Sequence, residues 1–332
     1  MKYKPLGRIG MKVSRFCLGT ANFGPFTQEK EAFEILDRAL EAGINFIDTG
    51  NKYGGINDDD ITHHGLTETI IGNWFALGGN RREKVILATK VYAPMYDEKD
   101  GPNDDCGLSI YKIRRHLEGS LRRLQTDHIE LYQMHHIDPT ITWEETWGAF
   151  EPLVNQGVID YVGSCNFGAR HLAYAQAAAE KRNFLGLVSE QHKYNLLCRL
   201  PELEVIPTVR DLGLGLLLWA PLHSGYLSGK VLNPRPGSRS EYLYHSLTPE
   251  MKGKLEAYTK LCQELGETEA TVALAWLLSN SNVTAPIIGP RNLEQLNSAL
   301  RALEVELPRD FLDRLDEIFP GPGGEAPQAY AW

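Results

Sequence analysis

A chain of 332 residues with 42% hydrophobic and 23% charged residues has the make-up of a soluble globular protein, long enough for one large barrel or two ordinary domains. Its net charge of −9 argues against a nucleic-acid binder or an anionic-membrane binder, since both present a basic face. The five cysteines, Cys17, Cys106, Cys165, Cys198 and Cys262, are scattered and form no Cys-x-x-Cys pair, which speaks against a zinc site or a disulfide framework and fits a reducing cytoplasm.

Residues 1–15 read as a short hairpin around the turn from Gly7 to Gly10, without the apolar core of a signal peptide. A first buried strand is expected at 16–20. Helical spacing of Ala32, Ile35, Leu36, Ala39 and Leu40 predicts a helix over 29–41, ended by Gly43. A second strand over 44–48 carries Asp48 at its tip, with Tyr53 in the loop beyond. Alone, this pair is better explained as a turn cap and a packed ring than as a catalytic pair.

The alternation then repeats. Strands are expected at 85–90, 129–135, 157–164, 187–191, 214–219 and 285–288, and helices at 66–75, 109–124, 143–154, 169–181, 201–212, 249–265, 269–279 and 293–303. A long loop spans 221–246, and the tail from Phe319 has no periodic pattern. The longest apolar run, near Leu214 to Leu222, is too short to cross a bilayer. Eight strand–helix repeats without a composition break predict a single domain over 1–332, built as a parallel (β/α)8 TIM barrel with an N-terminal hairpin, long mouth loops and an irregular tail over 319–332. An open doubly wound sheet would want Gly-x-Gly-x-x-Gly after the first strand. The sequence there is Gly-Thr-Ala-Asn-Phe-Gly.

In such a barrel the C-terminal strand tips share one mouth, and catalytic groups come from several of them. The tips here carry Asp48, Lys90, His135, Asn166, Gln191 and Trp219. With Leu18-Gly19-Thr20, Ala88-Thr89-Lys90, the run from Leu131 to His135, the run from Tyr161 to Phe167, Tyr194-Asn195, Pro221-Leu222 and Ile288-Gly289 through Gln295, the chain resembles the aldo-keto reductases over essentially its whole length. The Trp219–Gly225, His135–Asp138 and Ile288–Arg291 stretches are most similar to the branch that includes nucleotide-deoxysugar ketoreductases and reductases like potassium-channel β subunits.

The resemblance implies an oxidoreductase that uses NADPH, or NADH, to reduce a small-molecule carbonyl, with the tetrad Asp48, Tyr53, Lys90 and His135. Tyr53 would donate the proton, its weak acidity strengthened by Lys90, which Asp48 would hold in place; His135 would orient the carbonyl. Cofactor contacts are implied for Gly19, Thr20, Asp48, Cys165, Asn166, Gln191, Trp219, Ala220, Pro221, Leu222, Ser224, Leu227, Ile288, Gly289, Arg291 and Gln295, with Arg291 at a 2′-phosphate. Substrate contacts are implied for Phe23, Tyr53, His135 and His136. The sequence departs from the family where Cys165 replaces the usual Ser and where Ser298 and Ala299 replace Glu and Asn. The resemblance is silent on oligomeric state.

Three other readings compete. Asp58–Asp60 with His63 and His64 would suit a metal, but adjacent side chains rarely converge on one ion, and no metal is expected. Lys90 would suit a Schiff base, as in an aldolase, leaving Tyr53, Trp219 and Arg291 without a role. The same fold resembles accessory subunits that bind nicotinamide while docked on a partner.

Overall fold

The computed structural model describes residues 1–56, 60–96 and 106–331. An antiparallel hairpin of β1 (Tyr3–Pro5) and β2 (Lys12–Ser14) precedes eight barrel strands: β3 (Cys17–Gly19), β4 (Phe46–Asp48), β5 (Ile86–Val91), β6 (Ile129–Met134), β7 (Ile159–Cys165), β8 (Leu187–Lys193), β9 (Gly215–Trp219) and β10 (Val283–Ile288). These eight pair in parallel and in chain order, and β10 closes the barrel against β3. The helices are α1 (Glu29–Glu41), α2 (Leu66–Ala76), α3 (Ile110–Leu124), α4 (Trp143–Asn155), α5 (Ala169–Lys181), α6 (Val205–Asp211), α7 (Arg239–His245), α8 (Pro249–Leu265), α9 (Glu269–Ser279), α10 (Leu293–Arg301), α11 (Arg309–Ile318) and α12 (Gln328–Ala331).

Alternate residues of each strand face opposite sides, so the barrel has two cores. Outward residues such as Ile47, Leu87, Tyr132 and Leu216 pack against the helices. On α1 the buried stripe is Ala32, Ile35, Leu36 and Ala39, as its spacing requires. Inward residues Cys17, Phe46, Ala88, Leu131, Leu217 and Ala285 form the inner core, which the hairpin closes with Leu6, Ile9 and Val13. Arg8 fixes this plug by donating to the carbonyls of Leu185, Leu187 and Leu212 at 2.8–2.9 Å. Gly7 makes the approach possible: its φ is +62°, and a Cβ there would lie 2.5 Å from the Gly213 carbonyl. With one end plugged, the other is left for the polar strand tips.

Several elements differ from the sequence expectation. The helix expected over 201–212 is two pieces, a 3-10 turn at Leu200–Glu202 and then α6. Pro201 and Pro207 each lack an N–H and sit near the start of their piece, where none is needed. The loop over 221–246 contains a 3-10 segment, His223–Ser228, and α7. Helix α11 was not anticipated, although it buries Phe311 and Leu315. The tail carries no helix or strand over 320–327, but it is seated: Phe319 is buried edge-on against Tyr258, and α12 follows. Asp58 and Asp59 of the acidic run lie outside the described residues.

Candidate active site

Directly above the inner apolar core lies a polar layer made of Asp48, Lys90, Gln133, Cys165 and Gln191, one each from β4 to β8. Strand register sets it. Lys90 pairs with Gln133, Gln133 with Gly163, and Cys165 with Gln191. Lys90 is fully buried, and its ammonium donates to three acceptors: Asp48 Oδ2 at 2.5 Å, the Thr49 carbonyl at 2.7 Å and the Tyr53 hydroxyl oxygen at 3.1 Å. Burial alone would favour the neutral amine, but the charge of Asp48, with help from Tyr53, more than offsets it and holds the Lys90 pKa above its usual value. A protonated amine with three engaged N–H groups has no lone pair to offer a carbonyl carbon, which disfavours Schiff-base chemistry.

The second oxygen of Asp48 is also held. Gln133 and Gln191 donate to Oδ1 at 2.9 and 2.8 Å, and Gln191 also donates to Gln133 Oε1. The backbone N–H and hydroxyl of Thr20 both bond the Asp48 carbonyl. Asp48 thus anchors Lys90 from below and does not reach the mouth. Gln133, two residues before His135 on the inward side of β6, joins the site without having been anticipated. An amide in a buried period-two position was the available signal.

Tyr53 is half-buried over this layer, with the Lys90 ammonium 4.8 Å from its ring centroid. Its hydroxyl oxygen accepts from Lys90, which leaves its own hydrogen free for another acceptor. The sequence expectation that Lys90 lowers the phenol's pKa needs correcting. Burial is the larger influence and raises it; Lys90 acts in the expected direction without winning. Gly54 follows with φ +140°, and a Cβ there would strike the His63 carbonyl, so the chain after Tyr53 turns where only glycine fits.

The His135 ring meets Tyr53 edge-on at 5.8 Å between centroids and stacks on His136 at 5.3 Å. Burial first, then the positive charges of Lys90, His136 and Lys52, push its pKa well down, so the imidazole is neutral at pH 7. His136 meets Tyr92 edge-on. Phe23, expected at the substrate, is instead fully buried in the outer core and presents no surface to the mouth.

On the opposite side of the mouth, Trp219 donates its indole N–H to Asn166 Oδ1 at 2.9 Å, and Asn166 donates to the His135 carbonyl at 3.3 Å. Cys165 is fully buried; its thiol points to Gln133 Oε1 at 3.8 Å, and burial keeps it protonated. The chain after Trp219 is unusual. Ala220, His223, Ser224 and Gly225 all have positive φ, between 45° and 110°. Two of its N–H groups close the turn itself, His223 donating to the Ala220 carbonyl and Gly225 to the Leu222 carbonyl, at 2.9 Å each. Asn195 holds this turn, donating to the Ala220 carbonyl at 2.9 Å and accepting from His223 Nδ1 at 3.1 Å. Pro221 and Leu222 lie within it, and Leu227 is buried just beyond.

Beside that turn the tips of β3 and β10 meet. Asn22 donates to the Gly289 carbonyl at 2.8 Å, next to Gly19 and Ile288. Arg291 stacks over Phe26 at 4.2 Å, and Gln295 Oε1 accepts from the Arg291 backbone N–H at the start of α10. Burial lowers the Arg291 pKa, and the nearby Arg239 adds to it. Among the described residues neither guanidinium has an ion-pair or hydrogen-bond partner. Two like charges gathered at the start of α10 make a place where an anion would be held. Arg239, in a loop with no periodic pattern, had no sequence signal.

This barrel and its mouth define the chain as a member of the aldo/keto reductase family, whose family model matches residues 15–319. The chain is 59% identical, over the full length of both chains, to a Bacillus subtilis (strain 168) protein named "Uncharacterized oxidoreductase YrpG". It is 32% identical to a "Probable voltage-gated potassium channel subunit beta" of Oryza sativa subsp. japonica, covering 96% of each chain. It is also 32% identical to "Aldo-keto reductase AFTS1" of Alternaria alternata, over 92% of this chain and 88% of that one.

Proposed function

We propose that this oxidoreductase reduces an aldehyde or ketone to an alcohol, with NADPH as the preferred cofactor and Tyr53 as the proton donor. The observation that carries the reading is the Lys90–Tyr53 contact of 3.1 Å, on an ammonium itself fixed by Asp48. When bound, the nicotinamide supplies the hydride to the carbonyl carbon. The protein's own groups do the rest. Neutral His135 donates a hydrogen bond to the carbonyl oxygen and orients it. The free hydrogen of Tyr53 passes to that oxygen as negative charge builds on it. The phenolate left behind lies against Lys90, whose charge stabilises it more as it forms.

Burial keeps Tyr53 protonated at rest, so the acid is loaded before substrate arrives. Trp219 provides the stacking face. Asn166 and Gln191 offer amides to a carboxamide, the left-handed turn after Trp219 takes the diphosphate, and Arg291 with Arg239 takes the 2′-phosphate. The test is consumption of NADPH and of NADH against a panel of aldehydes, ketones and keto-sugars. NADPH turnover with at least one carbonyl class is expected. Tight cofactor binding with no turnover of any carbonyl would instead favour an accessory subunit, the role that the potassium-channel relatives' names suggest.

A further inference from the structure

Lys193 is the last residue of β8 and stands directly opposite Trp219 on β9. Gln191 faces the mouth, so Lys193, two residues on, faces it too. Its ammonium lies 5.5 Å from the Trp219 ring centroid, a cation–π distance. Among the described residues it has no ion-pair or hydrogen-bond partner. Its positive charge is close enough to lower the pKa of His223 in the turn after Trp219, where burial is the larger cause. The Glu190 carboxylate does not neutralise it: Glu190 is fully buried on the other face of β8 and bonded to Ser164, His192 and the Phe167 N–H. Below, Lys90 and Asp48 cancel as a pair. A net positive charge therefore lies against the indole.

An indole has two faces. With Lys193 over one, the stacking that the cofactor reading assigns to Trp219 falls on the other. The two oxidation states of nicotinamide differ in charge at that position: the reduced ring is neutral, and giving up a hydride leaves a pyridinium with one positive charge. Two positive charges on opposite sides of one indole, roughly 9 Å apart when a stacking gap of about 3.5 Å is added to the 5.5 Å from Lys193 to the ring centroid, repel in a partly dehydrated mouth. The diphosphate and the 2′-phosphate are the same in both states, so any attraction of Lys193 for them cancels from a comparison of the two.

We propose that Lys193, acting through Trp219, is a positioning residue that biases the site toward the reduced nicotinamide and against the oxidised one. The inference rests on the cofactor reading above. It gives the charge a purpose, since the site would load the form that carries hydride and release the spent form.

The experiment is calorimetric titration of wild type, Lys193→Met and Lys193→Arg with NADPH and with NADP+. The expected result is a Kd ratio, NADP+ over NADPH, that falls at least about fivefold in Lys193→Met and is retained in Lys193→Arg, as expected for a charge effect at this range. Equal weakening of both cofactors in Lys193→Met, with the ratio unchanged, would reduce Lys193 to a prop for the indole and overturn the inference while leaving the cofactor reading intact. Failure of wild type to bind either cofactor would overturn both.

Discussion

The Lys90 ammonium reaches the Tyr53 hydroxyl oxygen at 3.1 Å while holding Asp48 at 2.5 Å from the other side. The phenol hydrogen is thereby left unengaged at the mouth. The order is a column, carboxylate below, ammonium between, phenol above, with Lys90 hydrogen-bonded to both neighbours.

Breaking the column from below should damage the fold as well as the chemistry. Asp48→Asn leaves a fully buried ammonium without its counter-charge, a change that typically costs about 3–5 kcal/mol. Urea unfolding should show that loss, and turnover should fall with it. A variant of wild-type stability would mean that Lys90 is compensated elsewhere.

Gln133 ties Asp48 to Gln191 and Cys165. Gln133→Leu keeps the volume and removes a donor from a buried carboxylate, for an expected loss of about 1–3 kcal/mol. Gln133→Glu places a second carboxyl beside Asp48 and should be worse at pH 8 than at pH 5, where the added group can protonate. An equal loss relative to wild type at the two pH values would contradict the arrangement.

The depressed pKa of His135 has a signed consequence. The unfolded chain takes up a proton near pH 6.5, the usual histidine value, while the folded chain resists it until well below. The unfolded state therefore binds more protons in that window, and stability falls as pH drops below about 6.5. His135→Gln removes the site, so its loss of stability between pH 7 and pH 5 should be smaller than that of wild type. Urea midpoints at the two pH values measure the difference, and parallel losses would argue that His135 titrates normally.

Arg291 and Arg239 should distinguish the two nicotinamide cofactors. Arg291→Ala is expected to raise the KM for NADPH by at least about tenfold, the scale of a charge-assisted phosphate contact, and to leave the KM for NADH nearly unchanged. Arg239→Ala should act in the same direction. A shared loss for both cofactors would place Arg291 in the fold rather than at the 2′-phosphate.

What could be read from the sequence follows physical lines. Asp48, Lys90 and His135 were legible because each stands at, or within one residue of, the C-terminal end of a short strand, and those ends gather at one end of a barrel. The sign of the Tyr53 pKa shift was not. Sequence shows that Lys90 is available but not how deeply the phenol is buried, and burial decides the sign. Arg239 was hidden because its neighbour Arg291 is 52 residues away along the chain and meets it only after the barrel closes. The break in the helix near Pro207 was visible in principle, since a proline marks the start of a turn better than its middle. Helix α11 is amphipathic, with Phe311 and Leu315 on its buried side, so its signal is present in the sequence.

The most direct test of the central claim is Tyr53→Phe, measured for NADPH-dependent carbonyl reduction and, separately, for NADPH affinity. The substitution removes one oxygen and keeps the ring against His135. Turnover is expected to fall at least about 100-fold, the usual scale for a general acid, with Kd for NADPH within a few-fold of wild type. Turnover near the wild-type rate with cofactor affinity intact would contradict Tyr53 as the proton donor.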